Sequence, residues 1–142
     1  MKKLCFLLLI LFSPNLLISQ ESQTSYNLQI IVNNFEKING ELRVCLSDKK
    51  EDFLKHCKYV KVVTVTNNIV TLEIENIEAG TYAVSVFHDE NNNGVLDTKG
   101  LFEMPSEPYG FSNNPSILFG PPSFEKCKLS LNIDKQISIK LN

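Results

Sequence analysis

The sequence predicts an all-β fold: an antiparallel β-sandwich, immunoglobulin-like or prealbumin-like, of about seven strands with one long ordered loop. Apolar and polar residues alternate over several short segments, which is the pattern of half-buried strands. Glycine, proline and asparagine separate these segments, and no stretch shows the pattern of a long amphipathic helix. A chain of 142 residues has room for one such domain.

Seven segments carry the strand pattern, in the order 26–32, 40–46, 59–66, 69–74, 81–88, 124–133 and 136–141. The third and fourth flank the dipeptide Asn67-Asn68, which predicts a β-hairpin. The charged segment 47–56 predicts at most one helical turn, with Phe53 and Leu54 folded inward. The alternation also predicts that each sheet buries one face and leaves the other in water.

The first nineteen residues have the features of a secretory signal peptide. Lys2 and Lys3 precede an apolar run over 4–12, and Ser19 provides a small residue for cleavage. The apolar run is too short to span a bilayer. We therefore expect residues 1–19 to be removed and residues 20–142 to form a single exported domain, periplasmic or extracellular, with no stable membrane insertion.

The charge balance excludes two classes of partner. Without Lys2 and Lys3 the 14 basic residues fall to 12 against 16 acidic residues, a net charge of −4. This mild acidity gives no electrostatic surface for nucleic acid or for anionic lipid.

Three cysteines follow the predicted signal peptide: Cys45, Cys57 and Cys127. Export favours oxidation, so one disulfide and one free thiol are expected. The short separation favours Cys45–Cys57, while Cys57–Cys127 is the alternative. Cys127 has the same parity as Leu129 and Leu131, which predicts a position facing the core. Zinc is not indicated, because no Cys-x-x-Cys pair is present.

The stretch from residue 89 to residue 97 has the spacing of a calcium loop. Asp89, Asn91 and Asn93 stand at positions 1, 3 and 5, and Asp97 stands at position 9. A glycine at position 6 permits the sharp turn, and the carbonyl of Val95 supplies a further oxygen. Hard oxygen donors of this kind favour calcium over zinc or copper, so the sequence predicts calcium as a ligand.

The loop departs from an EF-hand in its last position and in its flanks. Position 12 is Gly100 instead of a bidentate glutamate, and a strand and a loop flank it instead of two helices. Glu90, Glu103 and Glu107 are the candidates for a missing ligand. A run of Asp, Asn and Gly is also typical of an ordinary turn, which is the alternative interpretation.

Residues 98–122, here called the flap, show no periodicity and are interrupted by prolines and glycines. Long irregular segments in compact domains are usually functional or disordered, and the apolar content of the flap opposes disorder. Two interpretations stay open: its aromatic residues plug one end of the core, or its surface binds a partner. Phe102, Tyr109 and Phe111 are the candidate contacts, and the partner would be an unknown protein or glycan.

A hydrolase is the alternative function, with a pocket near His88, Glu107, Tyr109 and Ser112. The residues oppose it, because neighbours on a strand point to opposite faces and Ser112 lacks a Gly-x-Ser-x-Gly motif. His88 shares the parity of the apolar residues of its strand, which predicts a structural histidine. The sequence therefore favours a non-catalytic protein.

Several blocks together resemble a known family. They are Gly80-Thr81-Tyr82-Ala83-Val84, His88-Asp89-Glu90-Asn91, Asn93-Gly94, Leu96-Asp97, Pro105, Glu107 and Tyr109-Gly110-Phe111-Ser112-Asn113. Their order and spacing are similar to domain of unknown function family 2141, over about residue 26 to the C-terminus. This resemblance implies a small exported bacterial β-sandwich with no established activity. The segment Leu101-Phe102-Glu103-Met104 departs from it, since the family more often has Gly-Ile or Gly-Met there. Residues 80–97 are more loosely similar to calcium-stabilised B-type repeats of bacterial surface adhesins.

Overall fold

The computed structural model describes residues 24–142, so the predicted signal peptide lies outside the described residues. In this part of the chain the elements are β1 (Ser25–Asn33), β2 (Glu41–Ser47), β3 (Tyr59–Thr64), β4 (Ile69–Glu78), β5 (Gly80–Asp89), β6 (Thr98–Lys99), β7 (Met104–Pro105), β8 (Tyr109–Phe111), α1 (Phe124–Cys127), β9 (Lys128–Leu131) and β10 (Lys135–Lys140).

The strands form two larger sheets, which confirms the predicted all-β sandwich. Sheet A has the order β10-β1-β4, and sheet B has the order β3-β2-β5-β8. Strand β9 also belongs to sheet B: it pairs with the first residues of β5, while β8 pairs with later ones. Strands β6 and β7 form a separate two-stranded ribbon within the flap.

The main hydrophobic core lies between the two sheets and follows the predicted alternation. Leu28, Ile30 and Val32 of β1 have no exposed surface, and neither do Leu42 and Leu46 of β2. The inward residues of β5 and β9 join the same cluster. Burying such side chains contributes about 1.5–3 kcal/mol each, so this core provides most of the stability.

One strand pair is parallel, in contrast to the wholly antiparallel arrangement expected from the sequence. Strand β10 runs alongside β1 in the same direction, from Leu28 opposite Lys135 to Asn33 opposite Lys140. The N–H of Asn27 donates to Asp134 Oδ1 at 2.8 Å at the start of this pairing. Alternation fixes which face a strand buries but carries no information about its direction, so the sequence could not show this.

The predicted hairpin of residues 59–66 and 69–74 is wrong. Strand β3 pairs with β2 in sheet B, while β4 pairs with β1 in sheet A. Val65 lies between them with 3% of its surface exposed, and its N–H donates to the carbonyl of Gly40. The chain crosses from sheet B to sheet A at the buried Val65. Asn67-Asn68 therefore forms a turn between the two sheets instead of a turn between paired strands.

A second apolar cluster lies on the outer face of sheet B. It contains Phe53, Ala83, Phe111, Phe124 and Cys127. The prediction for residues 47–56 is correct for Phe53, but Leu54 is 45% exposed and the segment forms turns without a helix.

Cys127 is buried and free, as predicted, but it packs in this outer cluster instead of with Leu129 and Leu131. The short helix α1 precedes β9 and breaks the parity on which that prediction relied. Burial raises the pKa of its thiol to about 11, so Cys127 is an unreactive packing residue.

The disulfide joins Cys45 and Cys57, as the sequence favoured. Cys45 points to the outer face of sheet B from β2, and Cys57 follows the turn segment that carries Phe53. The disulfide therefore fastens this segment to the sheet. It also indicates a protein that is not cytoplasmic, because disulfides persist in oxidising compartments.

Replacing Cys45 and Cys57 together by serine is expected to lower the free energy of unfolding by about 3 kcal/mol, the loop-entropy value for a short closed loop. Urea unfolding of the oxidised, reduced and doubly substituted proteins measures this. The reduced wild type and the serine variant should unfold at similar urea concentrations, and a reduced wild type as stable as the oxidised protein would contradict the prediction.

Candidate functional site

The polar loop of residues 89–97 begins where β5 ends. Asp89 points to the outer face of sheet B and has no exposed surface. Arg43 of β2 lies on the same face and donates from Nε to Asp89 Oδ2 at 2.7 Å. Its Nη2 donates to Glu41 Oε2 at 2.8 Å. Arg43 therefore connects two carboxylates and fixes the start of the loop to the neighbouring strand.

Asp89 also organises the backbone of the loop. Its Oδ1 accepts from the N–H of Asn93 at 3.0 Å, and its Oδ2 accepts from the N–H of Gly94 at 2.8 Å. Burial raises the pKa of Asp89, but the bonds from Gly94, Arg43 and Asn93 outweigh burial and hold that pKa below its usual value. The carboxylate is thus stabilised in its charged form.

The other predicted ligands meet further along the loop. Asn91 Nδ2 donates to one oxygen of Asp97 at 2.6 Å, and Asn93 Nδ2 donates to the other at 2.9 Å. The amide oxygens accept from backbone, Asn91 Oδ1 from the N–H of Asn93 and Asn93 Oδ1 from the N–H of Val95. The structure therefore brings three of the predicted ligand side chains together at Asp97.

The three candidates for a missing ligand lie in different places. Glu107 is 6% exposed, and its two oxygens accept from the N–H groups of Glu90 and Asp97 at 2.9 and 3.0 Å. It clamps the two ends of the loop to the flap. Glu103 is exposed and lines the cleft described below instead of the loop. The side chain of Glu90 forms an ion pair with Lys37.

The donor set fits a hard cation in part. Asp97, Asn91 and Asn93 adjoin one another, and calcium would require the two amides to turn their oxygens toward it. Arg43 already neutralises Asp89. Among residues 24–142, no group of three or more His, Cys, Asp or Glu side chains has the arrangement of a metal site, since two of the predicted ligands are asparagines.

A cleft of about 690 Å³ crosses the outer face of sheet B beneath the flap. Its floor comes from all four strands of the path β3-β2-β5-β8, with Val60 and Val62 from β3 and Phe87 from β5. Its sides come from two flap turns, which contribute Phe102 and Met104 from one turn and Ile117 from the other. The second apolar cluster covers part of this face, while Val60 and Phe102 in the cleft are 63% and 88% exposed. The expectation of a face left in water therefore holds in part, and the open part carries apolar residues.

The tips of the same two turns carry large apolar side chains that point away from the cleft. Leu101 is 99% exposed, Leu118 is 85% exposed and Phe119 is fully exposed. None of the three lines the cleft. Tyr109 and Phe111, by contrast, pack on the sheet, and only Phe102 of the three predicted contacts is strongly exposed. The flap thus both covers the sheet and presents apolar tips.

The residues of the alternative catalytic pocket have mostly structural surroundings. His88 has no exposed surface, and its Nε2 bonds to the carbonyl of Asn39 at 2.6 Å. Ser112 is equally buried, and its hydroxyl contacts Val84 and Cys127 backbone. Tyr109 lines the cleft, but His88 and Ser112 do not. His88 is thus the buried structural histidine that the sequence predicted.

The cleft is not evident from the sequence. Val60, Val62 and Phe87 are ordinary strand residues in the sequence, because β-branched and aromatic residues are common in any strand. The available signal was the apolar character of the outward positions in β3 and β5, where a wet face would carry polar residues.

Fold and site together define a small disulfide-bonded β-sandwich protein with an open apolar cleft beside a polar loop. The chain belongs to domain of unknown function family 2141, described as an uncharacterized protein conserved in bacteria, whose model matches residues 30–140. This confirms the resemblance seen in the sequence. No curated protein and no solved structure matches the chain. Within residues 24–142, no helix has the length and apolarity needed to cross a bilayer.

Proposed function

We propose that this protein is an exported, non-catalytic β-sandwich module that binds a protein or glycan partner through its flap. The observation that carries the proposal is the exposure of Leu101, Leu118 and Phe119 on two flap turns whose neighbouring residues line one cleft. Leu118 and Phe119 are also adjacent in the sequence, and exposed apolar patches are typical of interaction sites. A protein partner fits these tips better than a glycan, because Leu101 and Leu118 form no hydrogen bonds with sugar hydroxyls.

Three further features support this proposal. The disulfide agrees with export. The burial of His88 and Ser112 supports a non-catalytic role. The Glu107 clamp and the β6–β7 ribbon hold the flap in a defined position, and a partner then binds without first having to order the flap.

In the test, proteins extracted from the envelope of the producing bacterium are immobilised on a support, and residues 20–142 are passed over them. The measured quantity is the retention of residues 20–142 on the support. Substituting Leu118→Ser and Phe119→Ser together should reduce retention at least tenfold. The control is Ile133→Ser, because Ile133 is 62% exposed and lies in the turn between β9 and β10. Protease treatment of the extract should abolish retention if the partner is a protein, and periodate treatment should do so if it is a glycan. Equal retention of the double variant and wild type would contradict the proposal.

We also propose that calcium binds the polar loop and stabilises the start of the flap. Asp97 is central, since Asn91 and Asn93 both contact its carboxylate. About 10 mM calcium should then raise the free energy of unfolding by about 1–3 kcal/mol, as expected for an extracellular site with a dissociation constant of about 10⁻⁴–10⁻³ M.

Thermal unfolding of residues 20–142 with and without calcium measures this effect. Asp97→Asn should abolish the response, while Asp134→Asn should keep it, because Asp134 lies outside the loop on an exposed turn. An unchanged melting temperature for wild type would refute the calcium site and leave the partner-binding proposal intact.

A further inference from the structure

We propose that the cleft beneath the flap binds a single-chain anionic amphiphile of the long-chain fatty acid type, with its hydrocarbon chain lying across sheet B. This goes beyond the partner binding proposed above. The partner contacts the outward tips of the flap, whereas the amphiphile occupies the space between the flap and the sheet.

The size and direction of the cleft suit a long, narrow ligand. Its volume of about 690 Å³ lies within the range of roughly 300–1,000 Å³ that is usual for small-molecule sites. It runs across four neighbouring strands, which span roughly 14 Å at the usual strand spacing. An extended acyl chain can lie along this path.

The cleft walls disfavour ligands with many polar groups. Most of the lining surface is apolar, and the side chains that form it include Val60, Val62, Phe87, Phe102, Met104 and Ile117. A peptide or a sugar would lose hydration of its N–H, C=O or hydroxyl groups there without finding partners, at a cost of about 1–3 kcal/mol for each group. A hydrocarbon chain has no such groups, so its burial is favourable throughout.

The charged residues of the cleft favour an anionic end group. Two cations and one anion line it: Arg43, Lys55 and Glu103. The guanidinium of Arg43 has five N–H donors, and Asp89 and Glu41 accept from only Nε and Nη2. The side chain of Arg43 remains 28% exposed, so it can also contact a ligand carboxylate. Asp89 is fully buried and Glu41 does not line the cleft.

The test is titration calorimetry of delipidated residues 20–142 with oleic acid, oleyl alcohol and oleylamine. Oleic acid should bind, and the alcohol and the amine should each bind at least tenfold more weakly, because they lack the carboxylate that Arg43 and Lys55 would contact. Failure of oleic acid to bind overturns the proposal. Equal binding of the amine also overturns it, since the anionic end group is part of the claim.

A matched pair of variants locates the site. Val60 and Ile133 are equally exposed, at 63% and 62%, and only Val60 lines the cleft. Val60→Glu should weaken oleic acid binding at least tenfold, and Ile133→Glu should leave it unchanged. Unchanged binding by Val60→Glu overturns the proposal. The Leu118→Ser, Phe119→Ser variant should bind oleic acid like wild type, so failure of one proposal is distinguishable from failure of the other.

Discussion

Replacing Gly40 by alanine is expected to lower the free energy of unfolding by about 4 kcal/mol. Gly40 has a φ of 69°, and a Cβ atom there would lie 2.1 Å from the carbonyl oxygen of Asp89 and 2.8 Å from Cα of Glu90. Both neighbours are backbone atoms, so neither can rotate away. The substitution therefore forces the end of β5, where the polar loop begins, away from the start of β2.

Gly100→Ala is the matched control for this prediction. Gly100 has a φ of 77°, and a Cβ atom there would meet nothing within 4 Å. Gly100→Ala should lower the free energy of unfolding by only about 1 kcal/mol, the cost of the left-handed backbone conformation for alanine. Urea unfolding of the two variants separates the contact at Gly40 from conformational strain. Equal decreases in the free energy of unfolding for the two variants would contradict the prediction, because they would show that the backbone at Asp89 and Glu90 moves away from the new Cβ atom at little cost.

Asp89→Asn is expected to lower the free energy of unfolding by about 3 kcal/mol at neutral pH, because it leaves the partly buried Arg43 without one of its two carboxylates and weakens the bonds from Asn93 and Gly94. Asn has nearly the same shape, so packing is retained. Asp134→Asn is the control: Asp134 also accepts a backbone N–H but is exposed, and its loss should cost about 1 kcal/mol or less.

The stability difference between wild type and Asp89→Asn is expected to depend on pH. The pKa of Asp89 is lower in the folded protein, so its stabilisation is present above about pH 4, the ordinary aspartate value, and is lost as pH falls through the folded pKa. The stability difference between wild type and Asp89→Asn should therefore shrink below about pH 4. Urea unfolding at several pH values measures it, and a constant difference would contradict the depressed pKa.

The sequence predicted the positions and inward faces of most strands, because burial of one face imposes alternation. It did not predict strand partners: β3 and β4 look like a hairpin until the burial of Val65 is known. Cys127 was assigned to the wrong cluster because α1 interrupts the parity of β9. These errors have a common origin, since local pattern specifies the residues of an element and tertiary packing specifies its neighbours.

The site was predictable to a similar degree. Spacing alone placed Asp89, Asn91, Asn93 and Asp97 in one loop. The structure brings the side chains of the last three together, while Asp89 binds the loop backbone and Arg43. The role of Arg43 was not predictable, because its link to Asp89 joins residues 46 positions apart. The cleft was hidden for the same reason, since four strands and two flap turns form it and no single segment contains its pattern.

The parallel pairing of β10 with β1 determines when the chain can finish folding. These strands lie at opposite ends of the sequence, and a nascent polypeptide emerges from the ribosome with its N-terminus first. Sheet A therefore lacks one edge until β10 has been synthesised, and until then the core beneath Ile139 and Leu141 stays uncovered. Long-range closure of this kind is slow, and a delay in folding would suit the export proposed above, because a secretion channel threads unfolded chains.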